Sequence, residues 1–502
     1  MTKNRSYFLF FLLSYFSICF FSYQNFNSNS FLYDDAPLSL SYFNKIGVHC
    51  PPDSFGFMTQ EEFPKLVFNL KGNCFPILHH ERTGTIIFYV ITVLNKFLTP
   101  VTTLNLYRLI ISLILFSLYF LFCTKLEEKN FINAKLTSAL FLFSPYFFYI
   151  YEPYLIEKIL PIFTLCIHLL LLSNHKKKDI IAGVICGISL FIIKLTLVID
   201  LIPIILLHFV LLKTLDIKYY MKGFLIGLLP VMCFNLILMR AEWLNVIPEI
   251  LIFKESFIAN ISRLGEFVLF PASFYIDNLY FNPSYSQITE YIPALIIPIS
   301  LFYLIRYTYT IKKINLFSIL FFSLMIMFIF TYIILINSSK NNLVLYLSTF
   351  ALYVPILINH GLSQNKTYYK NVKIYDILQY LLILSFAFTL FLEIPSMNKT
   401  SKFNTQDYQK ISKVLSQKNI TFLIVEHERR LNILYFSPNV QLLTPNNFHT
   451  ILTRNENFGV LLDHYSLKFL EKYQSRLTLK FNRSSLTINN KQEINLDIYT
   501  LK

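Results

Sequence analysis

The sequence predicts a polytopic α-helical membrane protein of about eleven crossings, followed by a small α/β domain on the outer side. Three observations lead there. Apolar runs of about 18 residues or more recur up to about residue 392, and at 1.5 Å per residue each can cross a hydrocarbon layer of about 30 Å. Lysine and arginine collect in the short loops between those runs, as they do on the inner side of a membrane. Beyond about residue 395 the pattern changes to an amphipathic helix and alternating, β-branched stretches.

Composition agrees. Of 502 residues 55% are hydrophobic and only 15% charged, with mean hydropathy +0.51. A net charge of +15 raises nucleic acid as a partner, but the basic residues sit in short inter-helix loops, so no nucleic acid is expected. Cys19, Cys123, Cys166, Cys186 and Cys233 fall in apolar segments and read as small core residues. Cys50 and Cys74 share one outer loop, where a disulfide and two free thiols fit equally. The absence of a Gly-rich phosphate loop, a GxSxG elbow and a CxxC pair argues against nucleotide-driven transport, hydrolysis and thiol redox chemistry.

Lys3 and Arg5 precede the first apolar run, about 7–23, which lacks a small-x-small cleavage site and reads as an uncleaved helix with its N-terminus inside. A long outer loop, 24–104, follows. Its amphipathic stretch 85–98 is predicted to lie in the interface, because a crossing there would invert every later loop against the Lys/Arg bias. Crossings two to seven are placed at about 104–124, 134–150, 155–173, 179–193, 195–213 and 223–239. His175-Lys176-Lys177-Lys178 is the strongest inside marker. A second outer loop, 240–290, is net acidic, and crossings eight to eleven follow at about 291–305, 314–336, 343–358 and 375–392. This defines a membrane domain over 1–394 and an outer α/β domain over 395–502. In the latter, 406–415 reads as a helix, and 420–425, 475–481 and 494–501 read as strands.

Charged residues near membrane depth are costly and mark function by default. The outer-face set is Asp34, Asp35, His79, His80, Glu81, Arg82, Arg108, Glu152, Glu157, Lys158 and Lys194. It combines carboxylates that can accept a hydroxyl proton with cations that can hold an anionic leaving group, as transfer from a lipid phosphate needs. Each has a plainer alternative. Asp34-Asp35 before Pro37 also reads as a solvated turn, Arg108 and Lys194 as snorkelling cations, and Glu157 as a first-turn acid. His79-His80 lack a third ligand at zinc spacing. The run 146–154 reads as an interfacial aromatic belt.

The order of these motifs resembles the GT-C glycosyltransferases that use polyprenyl-phosphate sugars, a superfamily including protein O-mannosyltransferases and lipid A aminoarabinose transferases. Asp34-Asp35 stands in the place of the family's acidic pair in the first outer loop. His79-His80-Glu81-Arg82-Thr83-Gly84 stands in the place of a His-Pro-Pro motif, without the prolines, and Tyr107-Arg108-Leu109 in that of the Arg opening the second helix. Ser144-Pro145 with Glu157 matches the end of the third helix and the acid beyond it, although Glu152 occupies a position where Arg is common. Ile193-Lys194-Leu195-Thr196 matches a fifth-helix Lys, whereas Leu345-Tyr346 lacks the family's late Arg. The match is detailed over about 1–215 and topological beyond.

The resemblance implies an inverting transfer with Asp34 as base, Asp35 orienting the loop or holding an optional divalent cation, and Arg108, Lys194 and Arg82 on the donor phosphate. Glu157, His79, His80 and Glu152 would orient substrate or those cations. It implies a polyprenyl-phosphate sugar donor, a glycan, lipid or protein acceptor, and surrounding membrane lipids. The Lys/Arg bias with eleven crossings puts the N-terminus in the cytoplasm and the last domain outside it, and the compact chain without an endoplasmic-reticulum retrieval signal fits the bacterial inner membrane. A lipid or sugar transporter and a non-catalytic scaffold of the same fold remain the alternatives.

Overall fold

The computed structural model describes residues 2–26, 67–70, 73–76, 86–143, 160–173, 175–192, 197–239, 306, 309, 318–320, 323, 350–364, 377–385, 387, 405–425, 433, 436–437, 440–443, 456–461, 477, 480–489 and 494–502. Contacts divide the chain into two units. One comprises Met1–Phe26, Arg108–Tyr151 and Ile156–Ser396; the other comprises Asn27–Tyr107, Glu152–Leu155 and Met397–Lys502.

The first unit is helical. Helix α1 (Thr2–Phe26) turns Phe11 and Tyr15 toward α3 (Pro100–Glu128), where Phe11 meets Phe116 and Phe120 at ring distances of 6.2 and 5.4 Å. Tyr7 donates to Glu127, and Tyr15 shares a hydrogen bond with Ser117. The other face of α1 exposes Phe8, Leu12, Phe16 and Cys19. Cys19 is therefore not the core residue its apolar setting predicts: it lies on the face a bilayer would cover. Asn105–Glu128 is long and apolar enough to cross a membrane, the one such helix among the described residues.

Asn133 caps α4 (Ala134–Leu142) by accepting from the Leu136 N–H at 3.1 Å. Its own N–H donates to Asn359 Oδ1 at 2.8 Å, and Asn359 Nδ2 donates to Gln379 at 3.1 Å. Asn359 lies on α9 (Phe350–Gln364), so one buried amide joins that helix to the α3–α4 turn and to the helical stretch 377–385. Four other helices lie between: α5 (Leu160–Leu171), α6 (Lys176–Ile192), α7 (Leu197–Ile205) and α8 (Ile217–Met239). Helix α7 contains Pro203, which has no N–H to give, and runs into a π-helical turn, Leu206–Leu211.

Helices α6 and α8 meet along glycines. Gly183 and Gly187 face Gly223 and Gly227, and a Cβ at any of the four would strike the opposite backbone, at Tyr220, Phe224, Ile180 or Val184. Small residues four apart on both helices give the close packing that apolar solvent cannot drive by itself.

The second unit holds a hairpin, β1 (Val67–Leu70) with β2 (Asn73–Pro76), which the sequence did not predict. It also holds α2 (Ile86–Asn95), about 15 Å long, half of what a crossing needs. Its C-terminal part is a five-stranded sheet: β3 (Phe422–Val425), β4 (Gln441–Leu443), β5 (Phe458–Leu461), β6 (Phe481–Asn489) and β7 (Ile494–Leu501). The order is β4-β3-β5-β7-β6; β3 is parallel to β4 and β5, and the β5–β7 and β6–β7 pairs are antiparallel. Helix α10 (Thr405–Gln417) buries Tyr408, Ile411 and Leu415 on one face. Gly459 leaves room for Leu415 and Leu423 side chains, at 3.4 and 2.8 Å from where its Cβ would stand. The strand expected at 475–481 lies later, at Phe481–Asn489. It is an edge strand with 482–487 exposed, so its hydrophobic alternation is weak.

Candidate functional site

Arg108 is the expected site residue that falls among those described. It lies in the third turn of α3 and is 5% exposed, with its carbonyl accepting from Ser112 Oγ at 2.7 Å. Tyr107 and Thr103, in the same stretch, are buried as well. A surface cation snorkelling to water is thus the wrong picture of Arg108; its side chain is held inside the protein, where a charge is costly and marks a candidate for function. Asp34, Asp35, His79, His80, Glu81, Arg82, Glu152, Glu157, Lys158 and Lys194 lie outside the described residues, as does the Cys50 half of the cysteine pair. Among the described residues no three His, Cys, Asp or Glu side chains gather to hold a metal ion.

A buried polar chain joins three elements of the helical unit. Tyr353 Oη on α9 lies 2.6 Å from His168 Nε2 on α5, and His168 Nδ1 lies 2.8 Å from His208 Nε2 in the π-turn. His208 Nδ1 then lies 2.9 Å from Thr214 Oγ1. A neutral imidazole has one donor and one acceptor nitrogen, so donation in one sense satisfies the whole chain. Phe122 stacks on His168 at 4.8 Å. The sequence reading passed over both histidines. The signal was there: each is an ionisable residue inside an apolar run.

No protein-family model and no curated protein matches the sequence. Solved structures do match. ArnT from Cupriavidus metallidurans bound to undecaprenyl phosphate superposes over 97% of this chain and 97% of its own, with TM-score 0.56 and 8% identity. Its apo state superposes over 99% and 98%, again with TM-score 0.56 and 8% identity. The fold is GT-C-like. At 8% identity the GT-C-like fold is what the likeness carries, over nearly the full length of both chains. In this fold the buried Arg108 belongs to the helix that also carries Tyr119, whose Oη donates to Leu352 O at 2.9 Å beside the polar chain.

Proposed function

We propose that the protein is a membrane glycosyltransferase that moves a sugar from a polyprenyl-phosphate donor to a hydroxyl of a glycan, lipid or protein acceptor. The setting is the extracytoplasmic face of a bacterial inner membrane. The observation that carries this reading is the full-length match to ArnT, solved with undecaprenyl phosphate bound, together with the order of charged motifs along the chain.

In the proposed reaction the acceptor oxygen attacks the anomeric carbon as its proton passes to Asp34, while the bond from that carbon to the phosphate oxygen breaks with inversion. The departing lipid phosphate gains negative charge, and Arg108, Lys194 and Arg82 are assigned to hold it. Asp35 positions the loop or an optional divalent cation; Glu157, Glu152, His79 and His80 orient substrate. Replacing Asp34 by Asn is expected to lower turnover about 10²–10⁴-fold, the usual worth of a positioned base, while the protein still inserts in the membrane. Full transfer by both the Asp34→Asn and Asp35→Asn proteins would remove the carboxylate pair from the mechanism.

A transporter is the second reading, and one observation favours it: the His168–His208 chain beside the π-turn is the kind of polar, broken-helix feature transporters use. Transfer by detergent-solubilised protein, where no compartments exist, separates the two.

A further inference from the structure

The glycine seam brings the first turns of α6 and α8 side by side, and with them a dense basic surface. Lys176, Lys177, Lys178, Lys213, Lys218 and Lys222 are all exposed. Lys176 reaches across from α6 to lie 5.1 Å from the Tyr219 ring on α8. Two acids stand nearby, one buried and one half-exposed. Asp179 is buried and accepts from the Asp216 N–H at 3.2 Å; Asp216 Oδ1 accepts from the Lys218 N–H at 3.1 Å. The six exposed lysines outnumber the one half-exposed acid, Asp216, so the surface is net positive.

Beside them lies an open surface depression of about 520 Å³, lined by Phe209, Lys213, Thr214, Asp216 and Lys218 among others. Thr214, the last member of the buried polar chain, is one of its lining residues. From its rim an exposed apolar stripe runs down one face of α8, through Ile217, Met221, Leu225 and Leu229. Residues four apart share a face, and this stripe covers about 18 Å. That length matches half of a hydrocarbon layer of about 30 Å.

We propose that this pocket holds the phosphate head group of an anionic phospholipid of the inner leaflet, between Lys213 and Lys218, with its acyl chains along the α8 stripe. A free anion would use the lysines but has no need of the stripe, and a zwitterionic lipid would use the stripe but not the excess of positive charge. The combination selects a lipid with net negative charge. The site lies on the side of the basic loops, opposite the face assigned to transfer. It rests on the membrane reading above and not on the transfer reaction.

The test is native mass spectrometry of the full chain released from nanodiscs of phosphatidylglycerol and phosphatidylcholine in equal amounts. The protein is expected to retain phosphatidylglycerol in preference, and the Lys213→Asn/Lys218→Gln variant to lose about tenfold or more of that preference. Asn suits the left-handed backbone of Lys213, whose φ is 51°, so that variant keeps its fold. Lys125→Gln, at an exposed ion pair with Glu128, is expected to change nothing. The Asp34→Asn protein is expected to bind phosphatidylglycerol as the unmodified chain does, so failure of the transfer mechanism leaves this result standing. Equal retention of both lipids, or an unchanged preference in the double variant, overturns the proposal. So does displacement by millimolar inorganic phosphate, which marks a free-anion site, or by equimolar polyprenyl phosphate, which marks a carrier site.

Discussion

Arg108 illustrates how far a single residue can be read. Its position near the start of an apolar run is visible in the sequence, and its candidacy followed from the cost of a charge there. Its burial was not visible, because a long side chain at that depth can either reach water or turn inward, and packing decides. If it holds the donor phosphate, Arg108→Ala should cut turnover about 10²–10³-fold, whereas Arg108→Lys should keep part of it as a point charge without the fork. Initial rates with circular dichroism as a folding control would check this. At Tyr353 the expected effect is on stability. Tyr353→Phe removes the hydroxyl at the end of the His168–His208 chain and should cost about 0.5–2 kcal/mol, read as a lower unfolding midpoint in detergent.

Among elements, α6 and α8 show what hydropathy reveals and what it hides. Their apolar runs predicted the C-terminal ends of two helices to within a residue, but α8 starts at Ile217, six residues before the expected 223, because its first turns carry Lys218 and Lys222. Four glycines at matched spacing, 183 and 187 with 223 and 227, also predict a close pair in principle. Their significance becomes plain only when the two helices are seen in contact. Gly187→Leu and Gly223→Leu should each force the helices apart and reduce the folded fraction sharply, measured by size-exclusion recovery, while Leu at exposed Met221 should have little effect. The π-turn after Pro203 was not legible: a proline predicts a break, not which turn absorbs it. In the sheet, β3 is buried throughout and announces itself as an unbroken apolar run, as interior parallel strands do. β6 is polar along its exposed length and pairs on one side with β7, so its place was misread by several residues. The Arg483 ion pair with Asp497, 2.8 Å across that edge, and the buried Phe481 ring, 5.1 Å from Phe458, tie it to the sheet.

For the whole molecule, the polytopic character and the sheet-bearing C-terminal region were legible because each rests on a pattern repeated over many residues, and repetition averages out local ambiguity; most of crossings eight and nine lies outside the described residues. The GT-C-like fold then matches ArnT over nearly all of both chains at 8% identity, a level at which pattern survives and side chains do not. The proposed site is a different kind of object. Its residues Asp34, Arg108 and Lys194 are far apart in sequence, and no local pattern pairs them. The measurement that bears on it most directly is mass spectrometry of cell-envelope glycans and lipids from a strain lacking this protein, complemented with the unmodified chain or with the Asp34→Asn/Asp35→Asn variant. The account predicts a sugar modification that disappears on deletion, returns with the unmodified chain and stays absent with the variant. Restoration by the variant, or envelope sugars unchanged by the deletion, would contradict it.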